Sequence, residues 1–418
     1  MALLDKIKAL EPDKKKNPFL HTVYDGFFTF LYQPATVTKG GVHVKDGIDL
    51  KRTMAMVVLA LQLCYVFGTY NIGQQHFIAL GQHTGFFEAI HLKILFGLVK
   101  IIPIWVVTHV VGLGVEFYFA YKKGHGIEEG FLVSGALIPL IMPPDIPLWI
   151  LAIAVAFSVL FAKEAFGGTG MNIWNVALVA RVFIFFAYPG EISGSNSWVA
   201  GLDYSGGHIV TDFKSSGWVL HLFDKLWGAL GWTTFGHDGV NIDGFSGATP
   251  LALAASGGWP AVTAQFSTDQ MWWGSIPGSI GETSKPLIIV GALMLIGMGI
   301  ASWRIMVSMV IGCALTAILF NAWGFNAFMN VPWIYHFYMG SFLFAMAFMA
   351  TDPVTAAATN RGKWYYGFGI GVFGMIVRVI NPAYPEGWML AILFMNSIAP
   401  LIDYFILESN MKKRLSRA

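Results

Sequence analysis

Apolar residues in this chain gather into runs long enough to cross a bilayer as helices, about 20 residues at 1.5 Å rise each. Ten such runs fall near 53–72, 94–120, 127–143, 146–162, 172–188, 286–302, 305–322, 333–351, 364–382 and 387–407. The second is long and carries Pro103, which predicts a kink or a tilt. Several others are short and flanked by Gly or Pro, and Pro143-Pro144 makes a tight connection between the third and fourth. The pattern predicts an all-α polytopic membrane protein of about ten transmembrane helices. Five runs precede the polar stretch 189–285 and five follow it, which invites a reading as two inverted five-helix halves around a long outer loop.

Lys and Arg fix the orientation. With the N-terminus inside, 19 of the 26 Lys/Arg fall on the inner side and four on the outer: Lys93, Lys214, Lys225 and Lys285. Lys100, Arg181 and Arg378 lie within runs. Both termini are therefore expected in the cytoplasm, and 189–285 outside. The expected divisions are a basic, aromatic N-terminal segment 1–52, a first half 53–188, the outer loop 189–285, a second half 286–407 and a tail 408–418. Within the first segment, Pro18 to Tyr32 is rich in aromatics and interrupted by Asp25 and Gly26. It is read either as an interfacial amphipathic element or as aromatics packed on the bundle.

Composition agrees and narrows the chemistry. Of 418 residues, 56% are hydrophobic and 12% charged, with mean hydropathy +0.61, against about 25% charged in soluble domains. A soluble enzyme and a disordered chain are excluded. A net charge of +2 excludes a nucleic-acid binder. The two cysteines, Cys64 and Cys313, lie in apolar runs and cannot supply the four thiolates of an iron–sulfur cluster. The eleven histidines show no metal-ligand spacing. Met1 to Lys16 is charged and lacks the apolar core of a signal peptide. Gly369-Ile-Gly371-Val-Phe-Gly374 has dinucleotide-fingerprint spacing but lies inside an apolar run, where small residues serve helix packing.

The outer loop carries Ser246-Gly247-Ala248-Thr249. At about 7% per residue type, a given tetrapeptide occurs by chance in about one chain in a hundred of this length. It stands among other strings: Asp49-Leu-Lys-Arg52, the nonapeptide Ala162-Lys-Glu-Ala-Phe-Gly-Gly-Thr-Gly170, and Arg181-Val-Phe-Ile-Phe-Phe-Ala-Tyr-Pro189. Further on come Ile276-Pro-Gly-Ser-Ile-Gly-Glu282, Gly299-Ile-Ala-Ser-Trp-Arg304, Met349-Ala-Thr-Asp-Pro353 and Asn381-Pro-Ala-Tyr-Pro-Glu-Gly387. Together, from about Pro18 to Arg414, they resemble the B-subunit (NqrB) of the sodium-translocating NADH:quinone oxidoreductases. The RnfD component of the Rnf complexes is a close cousin that shares the threonine motif; the aromatic N-terminal segment matches the quinone reductases better.

The resemblance implies a bacterial inner-membrane complex of six subunits, in which electrons from NADH reach quinone through flavins and iron–sulfur centres while sodium is exported. It implies flavin mononucleotide (FMN) held by a phosphoester on Thr249, attached by a flavin transferase, with Ser246, Gly247 and Ala248 as small neighbours. It also implies non-covalent riboflavin at the Gly-rich turn of Gly168, bonded by Asn172 and Asn175, which three-residue spacing would set on one helix face. Tight-turn capping by the same amides is the other reading. Relatives have Asn-Pro-Ala where this chain has Asn175-Val176-Ala177. Gly112 and Leu113 correspond to a pair of glycines near the quinone and inhibitor site of some relatives, and a leucine would narrow such a pocket. Glu116, Asp352 and Asp403 are candidates for a cation path, since acids in lipid are costly and hard oxygen ligands suit sodium. Pairing with Arg181 or Arg378, solvation near the interface, or a capping role for Asp352, is the alternative. Trp272 and Trp273 are candidates for stacking on a flavin, or for an interfacial belt. No NADH site is visible, so that step belongs to a partner. A secondary transporter without redox chemistry is the competing class.

Overall fold

The computed structural model describes residues 7–31, 50–123, 130–192, 197–203, 209–211, 225, 241–242, 247–381 and 387–417. Twelve principal helices are named here in chain order. α1 (Pro18–Leu31) precedes α2 (Leu50–Ala79), α3 (Ile90–Lys123), α4 (Phe131–Ile141), α5 (Leu148–Ser158) and α6 (Val176–Ala187). After the outer segment come α7 (Pro250–Gln265), α8 (Thr268–Trp273), α9 (Lys285–Gly297), α10 (Trp303–Trp323), α11 (Gly362–Ile380) and α12 (Trp388–Leu415). Among the described residues, five elements are long and apolar enough to cross a membrane: 52–79, 90–123, 148–166, 303–323 and 388–415. α4, α6 and α9 are apolar but shorter.

The apolar runs thus become helices, with three departures. The eighth run, 333–351, is no continuous helix. It is a 3₁₀ turn (Trp333–Phe337), a single helical turn (Phe342–Phe344) and a π-helical turn (Ala345–Met349), because apolar content sets burial and not helical phase. The outer segment is not featureless. It holds a three-stranded antiparallel sheet, β1 (Leu202–Asp203), β2 (Ile209–Thr211) and β3 (Asn241–Ile242), with Leu202 opposite Thr211 and Val210 opposite Asn241. It then folds into α7 and α8, whose Ser, Gly and Trp content conceals them in the sequence. Lastly, α12 runs on through the tail expected from 408, so its 28 residues span about 42 Å.

Small residues let the backbones close up. A methyl on Gly371 would collide with the Met309 carbonyl oxygen, and one on Gly367 would lie 2.5 Å from that of Ile305. α10 and α11 therefore touch backbone to backbone, and the Gly369–Gly374 string is packing. Tyr24 and Phe28 of α1 stack on each other, and Phe27 and Phe19 pack on Phe117 and Tyr121 of α3. The aromatic N-terminal element thus lies against the bundle.

The outer segment is fastened to the helices by polar contacts. Asp145, after the Pro143-Pro144 turn, pairs with Lys100 and accepts from the Gly201 N–H at 2.5 Å. The ring of His76, stacked on Phe96, bonds the Ala200 carbonyl at 2.8 Å through Nδ1.

Candidate functional site

Two π-helical turns end at one cavity. The first, Val159–Lys163, follows α5; the second, Ala345–Met349, ends just before Thr351 and Asp352. A π turn holds one residue more than the α-helix around it and re-aims the residues after it; such turns concentrate at functional sites. Between them lies a cavity of about 130 Å³. Its walls come from Thr53 and Val57 of α2, Ser134 and Leu137 of α4, Lys163, and the turn bearing Thr169, Asn172 and Asn175. Leu295 of α9, Ala301, Phe348, and Thr351 to Val354 complete it. In the order of the ten runs, the first, third and fifth meet the sixth and eighth there.

The turn before α6 is built on glycine. Gly167, Gly168 and Gly170 have φ of 122°, 107° and 84°, which a side chain would strain. Gly168 shapes this turn and is not among the lining residues, while Thr169 beside it is. The Thr169 hydroxyl oxygen is buried without a hydrogen-bond partner. That orphaned group fits a polar ligand in the cavity.

Asn172 and Asn175 both line the cavity, but not from one helix face as their spacing predicts. α6 starts only at Val176, and both amides belong to the turn ahead of it. Asn175 is the helix cap: its Oδ1 accepts from the Leu178 N–H at 3.2 Å. Its Nδ2 faces Asp352 Oδ2 at 3.5 Å. Asn172 donates locally to the Trp174 carbonyl at 3.2 Å, and the Trp174 indole N–H donates to Ser397 on α12 at 2.8 Å. The absence of a proline after Asn175 leaves the helix start intact, because the capping side chain suffices.

The three acids have different surroundings. Asp352 caps no helix; it closes a short turn, accepting from the Val354 N–H (3.1 Å) and the Thr355 hydroxyl (3.0 Å). Glu116 pairs with Lys163 rather than with either arginine, and both side chains are 5% exposed. Asp403 on α12 holds the loop before α11, accepting from the Ala358 N–H at 2.7 Å and the Thr359 N–H at 3.0 Å. Asp352 thus reaches the cavity directly, Glu116 through Lys163, and Asp403 neither way. Among the described residues, no three His, Cys, Asp or Glu groups stand as a metal cluster.

Gly112 does not open onto a pocket. The Phe131 ring fills the space of its missing side chain, and a Cβ there would collide with the ring's Cζ. Leu113 packs partly buried against the core. An apolar groove lies one step around α3, at Gly114, with Ile153 and Phe157 opposite.

Thr249 sits elsewhere. It caps α7, its hydroxyl accepting from the Ala252 N–H at 3.1 Å. Gly247 and Ala248 before it are buried, and Ser246 lies outside the described residues. The positive end of a helix suits a phosphate. Leu251, two residues on, faces Gly340, as does the Arg378 guanidinium near the C-terminal end of α11. At the other end of α11, the Gly362 region is held by Asp403 and follows the Asp352 turn. Sixteen residues of helix separate Gly362 from Arg378, so the two places stand about 24 Å apart along that axis. Trp272 packs edge-on against Tyr338 and Trp273 is exposed, while Trp259 stacks on Tyr335.

Similarity to known proteins decides what this arrangement belongs to. The sequence model described as the NQR2, RnfD, RnfE family matches residues 37–412. The chain belongs to that family. Among its relatives, the B-subunit of the Na(+)-translocating NADH-quinone reductase of Chromohalobacter salexigens is 40% identical, covering 99% of this chain and 95% of its own length. Proteins of the same name from Stutzerimonas stutzeri (40% identical; 100% of this chain, 98% of the relative) and Klebsiella pneumoniae (39%; all of both chains) are similar throughout. Membership of the NQR2, RnfD, RnfE family agrees with the resemblance read from the motifs.

Sequence alone does not single out Lys163 or Thr169 as site residues. Both lie in the string Ala162–Gly170, where Lys163 reads as an ordinary loop charge. A Lys-Glu pair running directly into a Gly-rich turn is the signal that finds them.

Proposed function

We infer that this chain is the membrane B-subunit of a sodium-translocating NADH:quinone reductase in a bacterial inner membrane, with both termini cytoplasmic. Thr249 carries FMN through a phosphoester, and the cavity at Asn172, Asn175, Thr169 and Asp352 takes riboflavin. The observation that carries the reading is the cavity itself. Two π turns, a glycine turn and a buried hydroxyl without a partner converge on one place, and the chain's amides are already there.

Each residue has a definite task. Asn175 presents an N–H₂ from a fixed helix cap, and Asn172 a second amide. The Thr169 hydroxyl supplies a donor or acceptor to a ring edge, and Leu137, Leu295 and Phe348 exclude water from its faces. The cavity walls must part to admit three fused rings. At the far end of α11, Thr249 would supply the ester oxygen, held at the positive end of α7 by the Ala252 N–H. When bound, the two flavins supply one-electron carriers at separate ends of the bundle. The remaining subunits, bearing flavin and iron–sulfur groups, deliver electrons from NADH; quinone accepts them, and sodium transport accompanies the transfer.

Three measurements test the proposal. The chain purified with its partners and denatured in acid should give a fluorescent band under ultraviolet light. Mass spectrometry should place the added flavin phosphate on Thr249, within the peptide from Asp243 to Trp259. The intact complex should reduce quinone with NADH; reduction of ferredoxin instead identifies an RnfD-type component, and a colourless chain identifies a transporter without redox chemistry.

A further inference from the structure

Resting on the reading of the cavity as a flavin pocket, we propose that Lys163 is the fixed positive charge that sets the electron affinity of the ring bound there. Glu116 is the residue that positions it.

Lys163 is the only Lys or Arg among the lining residues described. It is the last residue of the π turn Val159–Lys163, a kind of turn that concentrates at functional sites. Its ammonium donates to Glu116 of α3, and both groups are withdrawn from solvent. Two helical turns further along α3, Lys123 pairs with Glu164 at 3.1 Å in the opposite sense. The two pairs lock the end of the π turn to α3. A buried pair of this kind is weak support for stability, since desolvation offsets much of the attraction. Its placement therefore asks for another role.

That role emerges from which partner reaches the cavity. Lys163 lines it and Glu116 does not, so a bound ring meets the ammonium at closer range than the carboxylate. On the other wall stands Asp352, whose oxygens accept from Val354 and Thr355. An electron arriving on the ring adds negative charge, and a nearby cation in a site sheltered from water stabilises that state more than it would in solvent. No bond to Lys163 forms or breaks. The electron comes from the reductant and stays on the ring, and the ammonium compensates the added charge.

The test uses the intact complex. Flavin released by acid, and so not covalently held, is first quantified. Its reduction is then followed optically at a poised electrode with mediators. Lys163→Gln should retain the flavin but lower the reduced-to-oxidised ratio at a given potential about tenfold, which is about 59 mV for a one-electron step. Lys163→Arg should stay within about twofold of the parent, and Glu116→Gln, which leaves the cation uncompensated, should raise the ratio. The double variant Lys163→Gln/Glu116→Gln buries no unpaired charge and should lower it as the single Lys variant does. Unchanged ratios in both Lys163→Gln and the double variant overturn the inference. So does equal loss of flavin from the Gln, Arg and double variants, which marks the pair as scaffolding. A parent complex without acid-releasable flavin defeats the reading of the cavity itself.

Discussion

The side chain of Asn175 serves a helix and a turn at once: its oxygen caps α6 at Leu178, while its nitrogen faces the carboxylate of Asp352 at 3.5 Å. One amide thereby joins the start of the fifth run to the end of the eighth. The two functions are separable by substitution. Asn175→Ser keeps a capping oxygen but loses the N–H₂. It should leave the melting temperature of the complex close to that of the parent and reduce acid-releasable flavin several-fold. Asn175→Ala should lose the cap as well, at a cost of about 1 kcal/mol. Flavin content per complex by chromatography, beside thermal unfolding in detergent, separates the two.

Thr249 caps α7, and the proposed function makes it the flavin acceptor as well. Thr249→Ala should abolish the fluorescent band and weaken the start of α7 by about 1 kcal/mol. Thr249→Ser should keep the cap and retain some attachment, since a hydroxyl remains. A fluorescent band of full strength in the Ala variant would place the attachment at another residue.

Gly112 is where the quinone reading and the packing reading diverge. Gly112→Ala would drive a methyl into the Phe131 ring and should destabilise the protein by about 1–3 kcal/mol. Phe131→Leu should restore part of that loss in the double variant, as expected of residues in contact. Thermal unfolding reads the packing; quinone KM, measured on the same variants, reads the site. A quinone KM unchanged in Leu113→Gly would remove that position from the quinone site.

For Asp403, loop anchorage and cation handling predict different outcomes. Its carboxylate holds the Ala358 and Thr359 amides. Asp403→Asn keeps an acceptor and should preserve most of the loop, whereas Asp403→Ala should open residues 354–361 to limited proteolysis. A role in the cation path requires that the Asn variant raise the sodium concentration for half-maximal activity severalfold. If only the Ala variant is impaired, and through proteolysis, Asp403 is an anchor alone.

Much of this architecture is open to reading from apolar runs, because lipid demands long helices and long helices demand such runs. α2, α3, α5 and α10 sit where the runs place them. Hydropathy fails where structure depends on phase. Residues 333–351 are as apolar as their neighbours yet fall into three short pieces, and nothing in Ala345–Met349 announces a π turn. α7 is hidden by its own composition, with Ser256, Gly257, Gly258 and Pro260 in sequence, and it does bend at Gly258, where φ is 68°. At the site, Asn172 and Asn175 are legible as a pair but not as members of a turn. The link between Glu116 and Lys163 crosses 47 positions of sequence and becomes visible only when α3 packs on the end of α5.

The close seam between α10 and α11 has a mechanical corollary. Where Gly367 and Gly371 lie against opposing carbonyls, sliding one rod past the other would open gaps that no side chain is present to fill. The pair is a rigid yardstick between the two faces of the bundle. Movement of one face relative to the other is therefore not accommodated by slip along this seam.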